Sequence, residues 1–304
     1  MTGMGRRLSA GIILAFCTAA YCEAGSFEDG DVAYGHGDYV AARDLWLPLA
    51  EQGDARAQIM LGGMYADGAG VEKSYQTALD WFRRAAEQGN SRAQFNLGTL
   101  YENGQGTAQS YPDAFYWFRE AADQGHAGAQ YHIALLYASG RGTLRSASDA
   151  TKWLRLAAEQ GVAGAQFDLA QHYAKGDGIS KDLTEALKWA TRAADQGHVV
   201  AKYDVAIMYA NGHGTPKDEQ KATEWYRSAA DQGYLLAQST LGLRFSQGIG
   251  VQRDMVQALK WLTLAFDRGD ARARKDRDVV AQQMTPTQIR LAQKLATEWK
   301  PALR

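Results

Sequence analysis

The side chains that could do chemistry in this chain are present but dispersed. Of six histidines, His126 and His198 fall in equivalent turns, and no H-E-x-x-H or similar spacing puts two on one helix face as a metal site needs. No metal is expected. There is no G-x-S-x-G to carry an activated serine, and the acids are spread as helix caps and surface charge, so no carboxylate pair stands out as acid and base. Paired glycines such as Gly104/Gly106 and Gly140/Gly142 could suggest phosphate cradles. Each pair follows a helical pattern instead of a strand, however, and lacks the third glycine or the Gly-Lys-Ser continuation. They read as helix stops, so no cofactor is implied and the catalytic set is empty. The chain reads as non-enzymatic.

The elements behind those residues are set by a repeat. Trp81, Trp117, Trp153, Trp189, Trp225 and Trp261 recur every 36 residues without a slip. Tyr65, Tyr101, Tyr137, Tyr173, Tyr209 and Phe245 keep the same interval, as do the glycine pairs. Within a unit, Leu97, Leu100 and Tyr101 share one face of a helix, and the following G-x-G tolerates the positive φ at which the helix stops. A second helix opens at Ser74, Ser110, Ser146, Asp182, Asp218 or Asp254, whose side-chain oxygens cap its first turn. Ser110 with Asp113, Ser146 with Asp149, Asp182 with Glu185 and Asp254 with Gln257 have the spacing of capping boxes. A seventh, imperfect unit covers residues 27–53, with Trp46 read as the counterpart of Trp81. A two-helix unit of this size cannot bury its own apolar stripe and must stack on its neighbours. The Trp series is therefore read as mainly structural.

The string A-Q-x-x-L-G-x-x-Y-x-x-G-x-G followed by A-x-x-W-x-x-x-A-A-x-Q-G closely resembles the Sel-1-like repeat, a relative of the tetratricopeptide repeat, over roughly residues 30–270. The resemblance implies an all-α fold, a right-handed α/α superhelical solenoid of helical hairpins. It also implies an adaptor role in the bacterial envelope, including signalling and exopolysaccharide control, without one biochemical activity. A cysteine-rich branch of the family is linked to β-lactam binding or hydrolysis, but its cysteines are missing here. A cell-wall hydrolase or β-lactam-binding enzyme stays as the alternative function. Residues 25–269 form the expected solenoid and 270–304 its capping helices, with Thr285, Pro286 and Gln288 opening the last one.

In a tetratricopeptide-like arrangement the first helix of each hairpin lines the concave face. One stripe is then Ile59, Phe95, Tyr131, Phe167, Tyr203 and Ser239. It is read first as core between repeats and second as ligand contact. The other is Gly63, Thr99, Leu135, Gln171, Ile207 and Leu243, which varies most in chemistry, as a surface matched to one ligand does. Arg56 and Arg92 sit one turn earlier and suit an acidic or sugar-acid ligand, or are simply solvated. The groove candidates are thus Arg56, Arg92, Thr99, Tyr131, Leu135, Gln171, Tyr203, Ile207 and Leu243. The expected partner is a protein or peptide, with envelope polysaccharide as a second candidate.

The first residues are of different material. Arg6 and Arg7, the uncharged stretch Leu8–Ala20 and small residues up to Ala24 have the layout of a secretory signal peptide, assigned to residues 1–24, too short to span a bilayer. A periplasmic or secreted location and a mature form that does not span the membrane follow. Both cysteines, Cys17 and Cys22, lie in that leader, so the mature chain has no disulfide to rely on. With 33 Lys and Arg against 34 Asp and Glu, no global field recruits nucleic acid, and none is expected as partner. A monomer is expected.

Overall fold

The computed structural model describes residues 26–302. Those residues contain sixteen helices and no strand, and the chain divides after Arg84 into two compact units. The N-terminal unit holds α1 Phe27–Gly35, α2 Tyr39–Glu51, α3 Ala55–Asp67 and most of α4 Tyr75–Glu87. The C-terminal unit continues with five hairpins. These are α5 Ser91–Asn103 with α6 Tyr111–Asp123, α7 Ala127–Ser139 with α8 Ala147–Glu159, α9 Ala163–Lys175 with α10 Leu183–Asp195, α11 Val199–Asn211 with α12 Glu219–Asp231, and α13 Leu235–Gln247 with α14 Met255–Asp267. Two shorter helices, α15 Ala273–Ala281 and α16 Pro286–Thr297, follow. Within this unit α5 to α15 pack in chain order, each on the next, and α16 packs back on α14, which is the nearest-neighbour architecture of an all-α solenoid. The segment expected to be a signal peptide lies outside the described residues.

Side-chain chemistry explains why the hairpins close where they do. Ser110 Oγ accepts from the Asp113 amide at 3.3 Å, and the equivalent oxygens of Ser74, Ser146, Asp182, Asp218 and Asp254 also cap their helices. The capping boxes are only half formed, because the amides of Ser110, Ser146, Asp182 and Asp254 donate to the carbonyls of Tyr101, Tyr137, Tyr173 and Phe245. The cap residue thereby ties its helix back to the preceding one, and its amide is no longer free for an acid three residues on. The box at Thr285 and Gln288 is complete.

The two glycines of each G-x-G have separate tasks. Gly140 ends α7 in the left-handed region at φ 73°, with its amide on the Leu136 carbonyl at 2.9 Å. Gly142 is more than a stop. A Cβ there would lie 2.2 Å from the Tyr111 carbonyl oxygen of the preceding hairpin, so hydrogen is the only side chain that fits between the repeats.

The core follows the small residues. The third residue of each first helix, Ala93, Ala129, Ala165, Ala201 and Ala237, is wholly buried, and so lets helices approach closely. Gly98 faces the ring of Phe118, which is fully buried; filling that slot contributes about 1.5–3 kcal/mol. Trp189 and Trp261 are buried, while Trp117 and Trp153 are half-buried. Trp46 corrects the expected register. It is wholly buried against Gly30 as Phe82 is against Gly62, and the caps Asp38 and Ser74 place it level with Phe82, one residue past the Trp81 position.

A set of buried glutamines spans the hairpins. Gln94 Nε2 donates to the Ala86 carbonyl at 3.3 Å, and its Oε1 accepts from Gln124 Nε2 at 2.8 Å. Gln130 with Gln160 and Gln166 with Gln196 repeat the arrangement, each pair meeting at 2.7 Å. One amide thus joins the previous second helix to both helices of its own hairpin, satisfying groups that burial would otherwise strand.

Candidate functional site

In the C-terminal unit the first helices bring their expected candidates to one face, but in unequal roles. Leu135 is 38 % exposed, a large apolar side chain in water. Thr99 is half-buried and its hydroxyl donates back to the Phe95 carbonyl at 3.0 Å, so only its lone pairs and methyl are offered. Ile207 is half-buried against the Ala206, Ala222 and Tyr226 cluster. Tyr203 lies between Tyr226 and Tyr234, with ring centroids 5.4 and 5.1 Å away, and shares a cavity with Leu243.

Tyr131 and Gln171 are joined to residues that the sequence did not single out. The Tyr131 hydroxyl donates to Asp168 Oδ2 at 2.9 Å, and Gln171 Nε2 donates to Asp204 Oδ2 at 2.7 Å. Burial raises both carboxyls above the ordinary aspartate range, against the lowering effect of those two donors and of His198 and Lys175. Burial, aided by Asp168, also pushes the Tyr131 hydroxyl well up, and Tyr226 is pushed up to about 12 chiefly by burial. The polar run Asn96, His132, Asp168, Asp204 and Thr240, one residue after the aromatic stripe, was the available signal. His132 Nδ1 meets Glu102 Oε2 of the preceding first helix at 2.9 Å.

The two arginines differ. In the N-terminal unit Arg56 stands 4.3 Å from the Phe27 ring centroid and pairs with Glu28 at 3.3 Å and Asp54 at 3.2 Å. Its charge is matched at the surface. Arg92, in the other unit, is exposed, with its amide held by Asn90 Oδ1 at 3.0 Å. Its next two counterparts have a steric reason to be small. A Cβ at Gly128 would approach Phe95 to 3.3 Å, and one at Gly164 would approach the Tyr131 hydroxyl to 2.9 Å. The turn histidines are structural: His126 and His198 each accept an amide through Nδ1 and stack on Phe95 and Phe167.

Six consecutive segments, residues 55–90, 91–126, 127–162, 163–198, 199–234 and 235–270, match the Sel1 repeat family model. The chain belongs to the Sel1 repeat family. The crystal structure of a Sel1 repeat protein from Oxalobacter formigenes is similar at 33% identity and a TM-score of 0.68, covering 79% of this chain and 96% of that one. A protective antigen of uropathogenic Escherichia coli displaying an SLR fold is similar at 30% identity and a TM-score of 0.58, covering 91% of this chain and 69% of that one. Among curated proteins, none matches. Sel1 repeat proteins are typically protein-interaction scaffolds, and the fold is generally non-catalytic. Among the described residues, no three His, Cys, Asp or Glu side chains gather as a metal set, and no helix is long and apolar enough to cross a membrane.

One further pattern of the Sel1 hairpins is visible only in three dimensions. Thr151 Oγ1 meets His172 Nδ1 at 2.6 Å, and two repeats later Thr223 Oγ1 accepts from Arg244 Nε at 2.7 Å. At the intervening level the same two positions hold Leu187 and Met208, which share one apolar cluster. Polar is matched with polar and apolar with apolar across the joint between repeats.

Proposed function

We propose that this Sel1 repeat protein is an exported, non-enzymatic adaptor of a bacterial cell envelope, capturing a segment of another protein on the face of its first helices. The observation that carries the proposal is a division of labour along those helices. The alanine and glutamine positions common to nearly every repeat are buried, whereas Thr99, Leu135, Gln171, Ile207 and Leu243 share one position, differ in chemistry and reach the surface. A partner segment would then be read by apolar contacts at Leu135, Ile207 and Leu243 and by the acidic middle at Asp168 and Asp204. A role in envelope signalling or exopolysaccharide control is the finer form of this proposal. It is supported by the family resemblance and by the leader-like residues 1–24.

Leu135→Glu tests the capture face, because Leu135 is the most exposed of the three apolar positions and its loss leaves the core alone. Cross-linking in native envelopes should lose the captured protein with this variant and keep it with Lys152→Glu on the exposed side of α8, circular dichroism remaining helical in both. Undiminished capture by Leu135→Glu overturns the assignment. Cell fractionation with N-terminal sequencing checks export, the expected mature chain starting just after Ala20 or Ala24; an intact Met1 terminus in the cytoplasm overturns that part.

A further inference from the structure

The first helices of the C-terminal hairpins do not all start in the same way. Asn90 Oδ1 caps α5, accepting from the Arg92 and Ala93 amides at 3.0 and 3.1 Å, whereas no side chain caps α9 at Val162 or α13 at Tyr234. At α7 and α11 the cap is an imidazole: His126 Nδ1 accepts from the Ala129 amide at 3.1 Å, and His198 Nδ1 accepts from the Ala201 amide at 3.1 Å. Because an amide can only donate, Nδ1 must be the nitrogen without a proton. A carboxamide oxygen keeps its lone pairs in acid, but an imidazole that takes up a second proton is a donor at both nitrogens and can no longer cap.

Three features make that proton costly at His126. Ala129 is wholly buried, so its amide has no solvent to turn to once the cap is lost. The added charge stands at the positive end of the α7 dipole. The charged groups that face the ring are Arg92 on α5 and, in its protonated form, His132 on α7, and both repel it. Burial first, and then those two neighbours, hold the His126 pKa below the ordinary histidine value, against a raising hydrogen bond to its own backbone. His198 lacks this setting, since the carboxyls of Asp168 and Asp204 face it.

The turn that depends on the His126 cap is itself weak. Gly128 is its second residue, where a Cβ would lie 3.3 Å from the His126 ring and 3.3 Å from Phe95. Glycine therefore gives the stacked imidazole its room, at a cost to the helix. We propose that His126 is an acid switch at the start of α7: the neutral ring holds the first turn closed, and its protonation opens that turn. The folded state binds this proton less tightly than the unfolded chain does. The contribution of the cap is thus fully present above the ordinary histidine pKa and is lost as pH falls through the lowered folded value. Tyr131, next after that turn, bonds Asp168, so a captured segment is released in acid; this last step alone rests on the capture reading.

Amide hydrogen exchange of the full chain tests the switch, read as the protection of Ala129 relative to Ala93. Both are wholly buried third residues of their helices, and the ratio cancels the pH dependence common to all exchanging amides. From about pH 7.5 to about pH 5 the ratio should fall roughly tenfold. In His126→Asn, which copies the Asn90 cap, it should stay flat. A flat ratio in the wild type, or an equal fall in His126→Asn, overturns the proposal. Should His126→Asn fail to fold, the ring shifts of His126 in the unaltered chain decide, and a titration midpoint at or above about 6.5 overturns the switch. Envelope cross-linking at the same two pH values reads release: capture should be lost in acid by the wild type and kept by His126→Asn. Capture that persists in acid while the turn is open overturns release, whereas absence of capture at both values counts against the capture face and leaves the exchange result standing.

Discussion

Single residues on the first-helix face carry charge at a cost that can be measured. Burial lifts the Asp168 carboxyl above its unfolded value, with Tyr131 pulling the other way and His172, His198 and Lys175 also facing it. The folded state thus holds the proton more tightly than the unfolded chain does. The associated stability is fully present below the ordinary aspartate pKa and is lost as pH rises through the raised folded value. Asp168→Asn, which keeps an acceptor for Tyr131, removes that dependence. Relative to wild type it should be most favourable at neutral pH and lose the advantage by about pH 4; denaturant melts at both values check this, and a pH-independent difference rejects it. Little of this was legible beforehand. Asp168 reads as an ordinary polar residue beside an aromatic stripe, and only the neighbouring helix reveals the Tyr131 hydroxyl that it accepts from. Gln94 and its equivalents were hidden for a related reason: a polar side chain suggests the surface, whereas here the amide is buried because it meets a carbonyl on one side and a second glutamine on the other.

Whole helices were far easier to foresee, since caps, glycine stops and the Trp interval each mark a boundary, and three independent markers in one register leave little room for error. The exception is instructive. Trp46 was matched to Trp81 by residue type, whereas the caps Asp38 and Ser74 align it with Phe82; burial follows the position on the helix and not the name of the side chain. The joint between α12 and α13 gives a prediction at this scale. Arg244, only 8 % exposed, depends on Thr223 Oγ1 and on the carbonyl and carboxylate of Glu219. Thr223→Leu alone should cost about 1–3 kcal/mol by stranding a guanidinium donor. The double variant Thr223→Leu/Arg244→Met, which copies the Leu187/Met208 joint, should recover most of that loss, as apolar replacement of buried polar partners often does. A double-mutant cycle by thermal unfolding measures the coupling, and simple additivity would show that the two side chains do not depend on each other.

Across the molecule, nearest-neighbour packing makes hairpins removable in the right combination. Deleting residues 163–234, two whole repeats of the family match, brings the hairpin of Thr151 against that of Arg244. Thr151 then stands where Thr223 stood, while Ala147 takes the place of Glu219 and offers Arg244 a carbonyl but no carboxylate, so the joint regains its hydroxyl and loses its ion pair. The shortened chain should remain helical and unfold in one cooperative step by circular dichroism, and a broad, non-cooperative melt would contradict this. The near-balanced charge, -1 over 304 residues, leaves recognition to local features such as the acidic middle of the face.

The glutamine links carry a consequence for ancestry. In the last hairpin Gln238 still donates to the Ala230 carbonyl, but Arg268 stands where a glutamine would donate to it, and Gln238 Oε1 is buried without a partner. Copying residues 91–198 reproduces a complete set of amide partners, whereas adding a unit after Asp270 inherits an incomplete one. Lineages descended from this gene should therefore gain or lose length in the middle, and the segment from Arg268 onward should persist as a terminus that duplication passes over.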